Sequence, residues 1–141
     1  EDIEFSIRLK KAGVRVGLIP EAFVYHKRRA NLHQFFWQVF NFGRGRAIVG
    51  AIHPAEVKLT HWFPTFFTLA TVLSLLLILV NKTWSAFALS GLLVYLSLIF
   101  IHALVVNKNL LVACLSVPAA LLQFFGYGTG FLQERLKSYF R

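Results

Sequence analysis

Residues 25–46 read YHKRRANLHQFFWQVFNFGRGR. The stretch carries Lys27, Arg28, Arg29, Arg44 and Arg46 with no acid, and Phe35, Phe36, Trp37, Phe40 and Phe42 crowd its middle. Cations and aromatic rings together suit the boundary between water and lipid, where rings sit among headgroups and cations meet phosphates. The flanks agree with that placement. What precedes is mixed and polar, whereas after Thr60 come long uncharged runs.

Within the stretch, Leu32, Phe35, Phe36, Val39 and Phe40 recur at helical spacing, with Gln34, Gln38 and Asn41 as polar neighbours. The apolar run is short and flanked by charge, which predicts an amphipathic helix over 32–42 lying in the membrane surface. Gly43 and Gly45 are expected to end or bend it and to present Arg44 and Arg46 on irregular backbone. His53-Pro54 reads as a break, and 55–60 as a polar connector.

Working toward the start, Ile3 and Ile7, and Phe5 and Leu9, are each four apart and predict a helix over 3–12. Asp2 can cap it, acids cluster at its positive end, and Gly13 is a natural stop. Residues 14–19 alternate apolar and polar and predict a short strand ended by Pro20, with a second extended piece over 22–25.

Toward the end, 62–80, 84–106 and 110–132 are three uncharged runs separated by Asn-Lys-Thr and Asn-Lys-Asn turns. About 20 residues cross a hydrocarbon core of roughly 30 Å, so each is long enough. Pro118 and the glycines at 126, 128 and 130 make the third less uniform. Gly126-x-x-x-Gly130 reads as close helix packing and not as a nucleotide loop, since no strand precedes it. Cations before the first run place that side in the cytoplasm. Three spans would put the basic tail over 133–141 on the far side, a conflict that a bend and re-entry at Pro118 would relieve.

The totals bound the function. Of 141 residues 57% are hydrophobic, and the net charge is +9; the mean hydropathy is +0.61. The surplus charge implies anionic lipid, a phosphorylated substrate or nucleic acid. The one cysteine, Cys114, excludes a disulfide framework and a thiolate metal site. Three groups could carry chemistry. Glu1-Asp2, at a helix start, could supply a general base; His26 could ligate a metal or bond a phosphate; the Arg pairs could hold phosphate groups.

The order EDIEFSIRLKKAGVRVGLIPEAFVYHKRR, then QFFWQVFNFGRGR, then apolar spans, resembles the C-terminal part of a bacterial membrane-bound family 2 glycosyltransferase. That resemblance covers about the first fifty residues. It implies an α/β fragment, the C-terminal end of a GT-A-like catalytic domain over 1–30. An interfacial helix and connector over 31–60 and an all-α membrane segment of about three spans would follow. Glu1 would then be a cut inside a larger protein whose nucleotide-binding half is elsewhere. The resemblance implies inverting transfer from a nucleotide-sugar donor to a lipid-linked or glycan acceptor, at the cytoplasmic side of the inner membrane. Asp2 would be the base and Glu1 would orient it. Gln38, Arg44 and Arg46, with Arg28 and Arg29, would bind substrate. His26 would touch a divalent metal, Mg or Mn, held mainly by residues outside this chain. Membrane lipids are expected partners and nucleic acid is not. After Gln38 the sequence lacks the Arg-Trp of the family's Q-x-x-R-W motif, which favours transfer of a single sugar over processive synthesis. A competing expectation is a non-enzymatic adaptor whose basic segment binds lipid or a partner.

Overall fold

A computed structural model of the chain describes residues 2–15, 17–25 and 31–140. Among the described residues five α-helices follow one another: α1 (Asp2–Lys11), α2 (Leu32–Ile52), α3 (Leu59–Leu76), α4 (Lys82–Asn107) and α5 (Leu110–Tyr139). Single 3₁₀ turns, Pro54–Glu56 and Leu77–Leu79, precede and follow α3.

No strand occurs among the described residues, so the expected α/β fragment with a GT-A-like portion is not found. The alternation over 14–19 is a local preference only. A strand needs a neighbouring backbone to complete its ladder, and the described residues offer none. Leu18 is 91% exposed, and the chain turns at Ile19–Ala22 through an Ala22 N–H to Ile19 carbonyl bond. The described chain is all-α.

α1 ends as expected. Gly13 adopts φ +75°, and the N–H groups of Gly13 and Val14 bond the carbonyls of Lys10 and Leu9, a Schellman closure. α2 begins at Asn31, whose side chain accepts from the Gln34 N–H. It does not stop at Gly43 or Gly45 but runs on for 21 residues to Ile52. Two glycines cost a helix about 1 kcal/mol each, and tertiary packing outweighs that here. Gly43 is buried with its Cα facing the Tyr127 carbonyl and the Phe131 amide of α5. Only a residue without a Cβ permits that approach.

The last three helices are long and apolar enough to cross a membrane, with spans of 21, 26 and 30 residues. At 1.5 Å per residue the third is about 45 Å long, well beyond a core of roughly 30 Å. It is continuous through Pro118, so there is no break for a re-entrant loop. Most apolar side chains of these helices are exposed on the chain itself and are matched by lipid. Asn81 and Asn109 cap α4 and α5, and Lys108 takes a left-handed conformation (φ 51°) in the turn between them.

The contacts of α5 decide the arrangement. Ser85 Oγ donates to the Ser74 carbonyl, and Tyr95 meets Phe67, so α4 runs antiparallel to α3. Tyr95 also meets Phe124, while Ser116 shares a groove with His102 and Ala103, so α5 runs antiparallel to α4. Yet Trp62 packs on Phe131, Thr65 Oγ1 donates to the Gly128 carbonyl, and Thr68 Oγ1 to that of Phe124. That order makes α5 antiparallel to α3 as well. Three straight rods cannot each oppose both others along one axis. The helices therefore cross openly around Phe67, Tyr95 and Phe124, or bend. Pro118 lies where α5 passes from α4 to α3, and there the Cys114 carbonyl loses its helical partner.

The end of α5 lies beside the start of α3 and the body of α2: Trp62 meets Phe131 and Arg135, and Arg44 pairs with Glu134. Cysteine labelling of intact cells is expected to treat Lys58→Cys and Lys137→Cys alike and Lys82→Cys oppositely. Labelling of the 137 position together with 82 would refute this arrangement.

Candidate functional site

The junction of α2, α3 and α5 brings the polar groups of the chain together. α2 turns its small face (Val39, Gly43, Ala47, Gly50) onto α5 and buries it. α5 answers with Gly126, Gly128 and Gly130, all buried. The Cα of Gly130 faces the Phe40 carbonyl, and that of Gly128 faces Pro64 and Thr68 of α3. The expected close-packing role of the 126–130 glycines is therefore observed, across two neighbouring helices.

This docking separates the two arginines. Arg44 Nε lies 3.0 Å from Glu134 Oε2, with side-chain exposures of 39% and 17%. Its charge is neutralised within the protein and ties α2 to the end of α5. Arg46 points elsewhere: its guanidinium lies against the Tyr127 hydroxyl, and among the described residues no carboxylate pairs with it. Residues two apart on a helix do not share a face, so Arg44 is tied to Glu134 while Arg46 faces open space.

That space is a cavity of about 670 Å³ between α2, α3 and α5. Arg46, Tyr127 and His61 form its cationic and donor side, and Asn41 and Gln123 add amides. Ile3, Phe42, Val49 and Pro64 form an apolar side. His61 Nδ1 accepts the Lys58 N–H at 3.1 Å, which assigns the ring proton of the neutral form to Nε2. Pro64 has no N–H, so the Thr60 carbonyl, also at the cavity, loses its i+4 helical partner.

α1 is held against this junction. Lys11 Nζ lies 3.0 Å from His53 Nδ1, and His53 Nε2 lies 3.5 Å from Glu4 Oε1, so His53 bridges both ends of α1 to the end of α2. Ile3 thereby reaches the cavity, one residue from Asp2. Asp2 is the first helical residue of α1, where a cap just before the helix was expected; its side chain lies outside the described residues, as do Glu1, His26, Arg28 and Arg29.

Gln38 does not line the main cavity. It lines a shallower groove with His33, Gln34 and Trp37 that shares Asn41 and Phe42 with the cavity, so one strip of α2 connects Gln38 to Arg46. Eight residues of helix put them about 12 Å apart along the axis. Among the described residues no three His, Cys, Asp or Glu side chains converge as a metal site would require. Tyr127, Glu134 and His61 were not singled out for the site from the sequence. Their one legible signal is polar character inside or beside apolar runs.

Arg135 completes the junction. Its guanidinium lies over Trp62 and Phe131, 5.7 and 5.5 Å from the ring centroids, and its Nε is buried with no partner. Cation–π contact stabilises the charge there.

Over 64 residues, 45% of its length, the chain is 39% identical to the succinoglycan biosynthesis protein ExoA of Rhizobium meliloti (strain 1021). The match spans 19% of that protein, about a fifth of its length. No described protein family matches the chain, and no solved structure does.

Proposed function

We propose that the chain belongs to a membrane-bound family 2 glycosyltransferase acting in cell-surface polysaccharide or glycolipid synthesis, and that it supplies the acceptor side of the site. The likeness to a succinoglycan biosynthesis protein supports polysaccharide synthesis. The observation that carries the reading is the meeting, in one cavity at the start of a span, of the residue beside Asp2 with an unpaired arginine. Sugar transfer to a hydroxyl needs a base and a cation, and Ile3 in the lining brings the start of α1 to Arg46. A base takes the acceptor's proton as its oxygen attacks the anomeric carbon, and the bond to the nucleoside diphosphate breaks with the electron pair leaving on phosphate. Asp2 takes that proton, aided by Glu1, and attack from the opposite face inverts the anomeric centre.

Arg46 holds a phosphate of the substrates, and Gln38 contacts substrate along the same strip of α2. Arg44 acts through its tie to Glu134 and positions α2. Arg28 and Arg29 precede α2 and would meet phosphate or lipid headgroups. A divalent metal, Mg or Mn, is a family expectation. No cluster of described residues fits one. α2 lies at the membrane surface with Trp37 and Phe42 exposed toward the headgroups. The catalytic side is cytoplasmic, at a bacterial inner membrane, where nucleotide sugars are found.

The test uses membranes carrying the full-length protein, supplied with nucleotide sugars. A new glycosidic bond of inverted configuration is expected, and retention would overturn the single-step mechanism. Arg46→Lys keeps the charge but loses the guanidinium fork, and a roughly tenfold or greater loss of transfer is expected. Full activity would reduce Arg46 to a surface charge.

A further inference from the structure

We propose, resting on the transferase reading, that His53 is a positioning residue for the reaction. By bridging Glu4 and Lys11 it locks α1 to the end of α2, and so holds the start of α1, with Asp2, at the cavity beside Arg46.

α1 needs such a lock. A helix of ten residues is marginal by its own propensity and takes its place from what it packs on. The chain that follows gives no hold, since Leu18, Val24 and Tyr25 are exposed. At 3.6 residues per turn, Ile3, Ile7, Lys11 and Glu4 fall within about 100° of arc, so one face of α1 carries its docking groups. On that face Ile3 lines the cavity and Ile7 is buried. Glu4 and Lys11 border it, two turns and about 10 Å apart along the axis. The Lys11 side chain leans back toward the start of its helix, as long side chains on helices do, and the His53 ring fills the gap that remains. Lys11 Nζ lies 3.0 Å from Nδ1, and Glu4 Oε1 lies 3.5 Å from Nε2.

The three groups match in their donor and acceptor roles. An ammonium can only donate, so Nδ1 accepts; Nε2 then carries the proton of the neutral ring and faces a carboxylate, which accepts. The ring is 11% exposed, so water offers its nitrogens little alternative. Arg8, 3.0 Å from the same carboxylate, steadies Glu4 from within α1.

His53 is itself rigidly mounted. Its N–H bonds the Val49 carbonyl at 2.8 Å, and its carbonyl accepts the Glu56 N–H at 3.0 Å in the turn that Pro54 opens. A grip fixed on both sides of its own backbone transmits little play to what it holds. His53 does not line the cavity and acts there through α1. Misplacing a reacting group by about 1 Å can cost about a hundredfold in rate, which is what the lock prevents at Asp2.

The experiment uses the full-length protein in phosphatidylcholine nanodiscs and two variants. His53→Phe keeps a ring and removes both nitrogens, whereas His53→Gln keeps one acceptor and one donor. Sugar transfer by His53→Phe is expected to fall about tenfold or more in kcat, with the KM for the nucleotide sugar nearly unchanged. His53→Gln should recover most of that loss. On an Asp2→Asn background, His53→Phe should cost no more than about twofold, because a base that is absent cannot be misplaced. A merely structural role would lower both backgrounds alike. Spin labels at Lys10→Cys on α1 and Lys108→Cys in the α4–α5 turn, with other cysteines replaced, report placement without catalysis. Their distance distribution should be narrow in the wild type and His53→Gln and broad in His53→Phe.

Full activity of His53→Phe, an equal loss on the Asp2→Asn background, or an unchanged distance distribution in His53→Phe would overturn the proposal. The two readings fail separately. Asp2-dependent transfer that is indifferent to His53 leaves the transferase standing and removes the positioning role. Distances as expected without transfer from any nucleotide sugar leave the lock and remove the reaction it serves.

Discussion

Gly130→Leu is expected to collapse the junction, and Gly45→Leu to leave it intact. Both replace a glycine of a long helix with the same side chain, so the gain in helix propensity is shared. They differ in what the new atoms meet. At Gly130 a Cβ would lie against the Phe40 carbonyl, Cα and carbonyl carbon of α2, all backbone that no rotamer change can move. At Gly45 it meets nothing within 4 Å. Forcing extra methylenes into a packed interface costs typically about 1–3 kcal/mol, and more when backbone must shift. Separating α2 from α5 would also strain the Arg44–Glu134 pair, which lies between exposed pairs, worth little, and buried ones, whose breakage costs several kcal/mol. Gly130→Leu should therefore melt well below the wild type in detergent, with a steep loss of folded yield. Gly45→Leu should melt at or above it. If Gly130→Leu were as stable as the wild type, α2 and α5 would not pack as described.

These contrasts mark where the sequence was legible. α1 could be read with its stop, because the apolar spacing, the acids at its start and Gly13 all point one way. The three membrane helices followed from uncharged length alone, and the Asn-Lys turns gave their caps. The strand over 14–19 was misread because alternation records a preference that only a pairing partner makes real. Gly43 and Gly45 were read as breakers for a similar reason: their cost is local, and the contact with α5 that outweighs it for Gly43 lies more than eighty residues away.

The unbroken helix also changes how the two arginines sit. With α2 broken there, Arg44 and Arg46 could be drawn together around one anion. On a continuous helix they face apart, and Glu134 takes the first. Tyr127 and Gln123 reach the cavity from an otherwise apolar helix, and nothing local says toward which neighbour they turn. The side of the tail was undecided while the spans were treated as parallel rods. The pairing of Trp62 with Phe131 sets the end of α5 beside the start of α3, and no periodicity contains that pairing.

The chemical core of the account is the acid at the start of α1. Asp2→Asn keeps the size of the side chain and its capacity to cap a helix, so expression and membrane insertion should survive. It removes the ability to accept the acceptor's proton. Positioned general-base catalysis contributes about 10²–10⁴-fold in rate, and a loss of at least about a hundredfold is expected. Donor binding should hardly change, because the proposed base serves the acceptor hydroxyl and not the nucleotide. The polar ties of α1 through Lys11, His53 and Glu4 do not involve Asp2, so α1 should stay docked. The deciding measurement is therefore sugar transfer by membranes bearing full-length wild-type or Asp2→Asn protein, with nucleotide-sugar binding followed in the same preparations. The account predicts transfer reduced a hundredfold or more with binding preserved. Near-normal transfer by Asp2→Asn would contradict it and return Asp2 to the role of a helix cap.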